Sequence, residues 1–104
     1  MELALLRLAP GPGAGATVPS LEVVVDIFWA TAIPDDHLEH IRARSGAAPS
    51  TVDLALFHSV TQTRRAEDLA FRLACRVVST APAVAGWTVT PIPLSSNLMT
   101  WEIS

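Results

Sequence analysis

The sequence predicts an α+β domain: a two-layer α/β sandwich, with one mixed sheet of four or five strands and two helices in the order β-β-α-β-α-β-β. Three observations carry this. Residues 52–60 are an apolar run of strand length, bounded by turn-forming residues. Residues 63–78 follow with apolar side chains at helical spacing, Ala66, Leu69, Ala70, Leu73 and Val77 forming one stripe. Within residues 21–31 the odd positions from 21 to 29 are all apolar, which reads as a central strand buried on one face and largely buried on the other.

In chain order, residues 2–8 carry Leu3, Leu5, Leu6 and Leu8 and suit a short edge strand. Residues 10–19 are a Gly/Pro-rich loop. It is no phosphate cradle, because it leads towards a strand rather than a helix and its prolines lack N–H groups. After strand 21–31, Pro34 opens a short helix to Ser45, with Asp35 and Asp36 in its first turn, Arg42 and Arg44 in its last, and Gly46 as its stop. Strand 52–60 comes next, then the long helix capped by Thr61 or Thr63. Residues 87–94 alternate but contain two prolines, which confines them to an edge. Residues 98–103 close the chain as a last strand. The whole reads as one domain, 1–104. In general form it resembles a variant of the ferredoxin-like domains, although those place two strands between their helices and only one is read here.

Composition limits the function. Half of the 104 residues are apolar and 16% are charged, against about a quarter in typical domains. The net charge of −3 speaks against nucleic acid, whose phosphates require a positive surface. All seven basic residues are Arg. With no Lys and no Tyr, Schiff-base chemistry, a P-loop Lys and a Tyr acid or base are excluded. That bias, with abundant Ala, Pro and Val, suggests a GC-rich, bacterial genome. Cys75 stands alone, so no internal disulfide forms and a reducing, cytoplasmic setting is expected. No run is long and apolar enough for a membrane span.

Several groups are candidates for chemistry. His37 and His40 lie three apart beside acidic residues, a spacing that suits metal ligands on a helix, but their outward placement favours a solvated face. Asp26 and Asp53 would pair if their strands were neighbours, yet both lie near strand starts, away from the usual site. His58 and Ser59, with Thr31, occupy the better end; being adjacent, His58 and Ser59 point to opposite faces and form no dyad. Cys75 reads as a packed or interface thiol. Trp29, Trp87 and Trp101 suit core, pocket or interface.

No metal, cofactor or catalytic motif is implied. The expectation is therefore a non-catalytic interaction module or accessory subunit, acting by self-association or with a protein partner. Phe71, Cys75, Val78 and Trp101 are its expected interface, because helix 63–78 is apolar over more than one sheet needs. The alternative is a cofactor-free enzyme or binder with a small apolar ligand between sheet and helices, using His58, Asp26, Trp29 and Asn97.

Overall fold

Between Glu2 and Ala9 Arg7 is the only charge, a pattern suited to a strand with neighbours on both sides. β1 (Glu2–Ala9) lies in the middle of the sheet, not at its edge. The computed structural model describes residues 1–12, 18–48 and 50–93. In it β1 pairs with β3 (Val52–His58) on one side and with β4 (Thr88–Ile92) on the other. β2 (Leu38–Ser45) pairs with β3, giving the order β2-β3-β1-β4. Every neighbouring pair is antiparallel, so the expected mixed sheet with a parallel core is corrected.

The two-layer α+β form stands; the element order does not. Residues 21–31 are a helix, α1 (Leu21–Thr31), not a strand. Ser20 caps it, its hydroxyl accepting the Val23 N–H at 3.2 Å. Val24 and Phe28, four apart, form its buried stripe. Pro34 ends it by holding Ile33 extended. Where a helix was expected over 34–45 there is a single 3₁₀ turn, Pro34–Asp36. His37 then enters the left-handed region at φ 53°, and β2 begins. Ile41 is buried on β2 while Arg42 beside it is exposed. The described order is thus β-α-β-β-α-β, with two strands between the helices.

β3 and the long helix, α2 (Thr63–Thr80), lie where the sequence put them, and all five expected stripe residues of α2 are buried. Its N-cap is Gln62, without a side-chain capping bond. The Thr63 hydroxyl donates instead to the Glu2 carboxylate at 2.9 Å, tying α2 to the start of β1. β4 is an edge strand containing Pro91, as expected. The last expected strand, 98–103, lies outside the described residues.

Both helices cover one sheet face. Leu6, Leu8, Leu54 and Leu56 meet Phe28, Leu73 and Val77 in the main core. The opposite face carries a smaller cluster, Leu5, Ala55 and Ile92, flanked by Leu3 and Phe57. Gly46, expected to stop a helix, instead opens the β2–β3 hairpin. A Cβ there would collide with the Thr51 hydroxyl across the turn. Gly46→Val is expected to destabilise the domain by about 1–3 kcal/mol through that overlap. A urea titration checks it, and an unchanged midpoint would contradict the close approach.

Candidate functional site

Of the side chains weighed for chemistry, His58 and Asp53 are each held in an ion-paired cluster. The first joins three elements. Asp36 closes the 3₁₀ turn and is buried. Its carboxylate accepts the Ile33 N–H at 2.8 Å and two guanidinium bonds from Arg76 of α2, at 2.9 and 3.3 Å. Its main-chain carbonyl accepts a bond from His58 Nδ1 at 2.7 Å. A carbonyl can only accept, so Nδ1 carries the proton and Nε2 is a bare lone pair. Nε2 is buried without a partner among the described residues, and His58 is 0% exposed.

This geometry sets the charge states. Burial pushes the His58 ring below its ordinary value; the bond to the Asp36 carbonyl and the Asp36 charge oppose this without overcoming it, while His37 adds to the depression. Burial alone would raise the Asp36 carboxyl, but the Arg76 guanidinium and the Ile33 N–H outweigh it and hold the carboxyl below its ordinary value. A depressed histidine stabilises the fold above its unfolded value of about 6.5. That contribution is lost as the pH falls through 6.5 towards the folded value. The urea midpoint is therefore expected to drop between pH 7.5 and 5. In His58→Gln that drop should shrink; an equal drop in both proteins would assign the effect elsewhere.

The second cluster lies on the sheet face away from the helices. Asp53, buried, accepts Arg7 Nε at 2.8 Å and Arg7 Nη2 at 3.2 Å, and Arg44 Nη2 approaches it to 3.5 Å. Two cations thus engage this one carboxylate. The bidentate Arg7 contact joins β1 to β3, and Arg44 adds β2.

The structure therefore separates the residues grouped from sequence. Asp26 is exposed on α1 and Asp53 is buried on β3, so the two carboxylates do not pair. His58 is sealed in the core, where its free nitrogen reaches no solvent, and Ser59 is exposed beside it. His37 ends the 3₁₀ turn and His40 stands on β2, its ring centroid 5.6 Å from that of Phe57. Among the described residues no group of three His, Cys, Asp or Glu side chains is placed to hold a metal ion. Nor is any helix among them long and apolar enough to cross a membrane.

Of the expected interface, Phe71 is 39% exposed, in a cleft with Leu5, Leu6, Arg72 and Pro91. Cys75 is half-buried, and Val78 packs on the rim of the main core. Trp101 and Asn97 lie outside the described residues. Trp87 is core. Trp29 is 44% exposed, and with Val23 and Ile33 it places large apolar side chains on and just beyond α1. Two clefts run along the border of α1 and β2. One is lined by Leu21, Val25, Ile41 and Arg42, the other by Trp29, Ile33, Leu38 and Glu39. Sequence reading missed this surface because it took α1 for a buried strand. It also missed Arg76, since its partner Asp36 lies 40 positions away. No family model, no curated protein and no solved structure matches the chain.

Proposed function

We propose that the protein is a small non-catalytic interaction module or accessory subunit that works through a protein–protein interface. One observation carries this reading: Trp29 and Ile33 leave large apolar side chains exposed along one cleft at the border of α1 and β2, and Val23 is exposed elsewhere on α1. The expected Phe71 flank contributes less, because Val78 is taken up by the core. The small-molecule reading draws no support from its residues: His58 is sealed and Asp26 faces solvent.

Light scattering at tens of micromolar, together with affinity capture from the source cells by the chain and by its Trp29→Ala variant, tests the proposal. Expected is either a mass above 11.1 kDa that falls to it in the variant, or a captured protein lost in the variant. A monomer with no Trp29-dependent capture would sink it.

A further inference from the structure

We infer that the edge of β2 that no described strand covers, with the groove under α1, binds an extended segment of another protein by strand addition. The segment carries aliphatic and Arg or Lys side chains on the face that meets α1, and acidic side chains on the alternate face. The inference rests on the interaction-module reading and names the occupant.

Three features converge on that edge. Among the described strands β2 pairs with β3 alone, so along eight residues half of its main-chain groups point outward, a template for an added strand. Above the edge, Leu21, Val25 and Trp29 of α1, with Ile33 beyond it, overhang Leu38 and Ile41 of β2, and the two clefts follow this line. An added strand would send every second side chain into that groove.

Charge then selects the occupant. From Leu8 to Ile41 the chain has no Arg or Lys, and its carboxylates besides the engaged Asp36 are Glu22, Asp26, Asp35 and Glu39, all exposed. Glu22 and Asp26 line one cleft together with Arg42 of β2, and Glu39 lines the other. A basic side chain lying on the indole of Trp29 would meet these carboxylates. On the other face of β2 the order reverses: His40 and Arg42 stand there, both exposed. Side chains that fall beside them are favoured when acidic.

The same pattern disfavours a second copy. An antiparallel pairing of β2 with itself centred on Ile41 sets His40 against the other copy's Arg42. Centred on Arg42, it sets like charges directly opposite.

The test uses the whole chain, isotope-labelled, and an eight-residue peptide in which Val and Arg occupy the odd positions and Glu and Thr the even ones. Its controls are a peptide of the same composition without the alternation, and an alternating peptide N-methylated at every second residue. Amide resonances of Leu38–Ser45 and of α1 are expected to move with the alternating peptide and to stay in place with both controls. Trp29→Ala and Asp26→Arg, both at exposed positions, should each weaken binding at least about tenfold. Raised salt should weaken it as well.

The inference is overturned if no resonance moves at millimolar peptide, if the N-methylated peptide binds equally, or if the shifts map to the Phe71 cleft. Light scattering showing a dimer whose β2 amides are protected from exchange also overturns it, while leaving the interaction-module reading intact. Absence of both peptide binding and any Trp29-dependent partner removes both readings.

Discussion

Phe28→Ala is expected to lower the stability of the domain by about 3–5 kcal/mol, whereas Trp29→Ala, one residue along, costs less than about 1 kcal/mol. The contrast follows from their places on α1. Phe28 is 0% exposed and lies among the side chains that join α1 to the sheet. Truncating it removes a large apolar surface and leaves a void under α1, which rests mainly on β2 and α2 and can follow the collapse only in part. Trp29 is nearly half in water, so Ala there forfeits little burial. Urea titrations of both variants read the difference directly. Similar large losses for the two would mean that the Trp29 ring is packed rather than presented, and the proposed surface would fall with it.

Asp36→Ala is expected to cost about 2–3 kcal/mol. Breaking a buried ion pair typically costs about 3–5 kcal/mol, and the partial exposure of Arg76 reduces this. The loss has two parts: Arg76 keeps its charge without its counter-ion, and the Ile33 N–H loses its acceptor. Asp36→Asn retains an oxygen for Ile33 and should fall between wild type and Asp36→Ala. The pH dependence gives an independent reading. Because the Asp36 carboxyl is held below its unfolded value of about 3.8, its stabilisation is present above that pH and lost as the pH falls through it. The wild-type and Asp36→Ala curves should therefore converge below pH 3.8. A constant gap down to pH 2 would show that the ion pair contributes nothing.

How much of this was legible in the sequence depended on whether one period was present or two. On α2 only the helical period fits, and Ala66, Leu69, Ala70, Leu73 and Val77 were all placed correctly. On α1 both periods fit. Val23, Val24 and Val25 are consecutive β-branched residues that favour strands, and the odd positions were apolar simply because nearly all positions are. Ser20 and Pro34 were the deciding marks, a cap and a stop at helical separation. Over 34–45 the error ran the other way. Pro34, the two aspartates, the late arginines and Gly46 all imitate helix punctuation, yet the helix lasts one turn, and the alternation of Ile41, Arg42, Ala43 and Arg44 is that of a strand.

The site was less legible than the fold. Asp53 could be singled out as a charge inside an apolar strand, and Arg7 could have been found by the same rule. Nothing local links them across 46 positions. The partnership of Asp36 with Arg76 likewise needs the sheet to exist first. Misplacing α1 also hid Trp29, since a residue on a central strand is not expected in water.

The position of β1 bears on how the chain comes to be folded in a cell. Among the described strands it is the first to leave the ribosome, yet it is completed by the last of them. Leu8 lies beside Val52 on one side and Val89 on the other, so neither neighbour exists while β1 is being made. Nascent β1 is an apolar strand with two open edges, and the β2–β3 hairpin is the earliest piece that can shield one of them. Sheet closure waits for β4. A ribosome stalled before Thr88 would hold a chain whose central strand is half-covered, a state suited to chaperone capture or to pairing with the wrong edge.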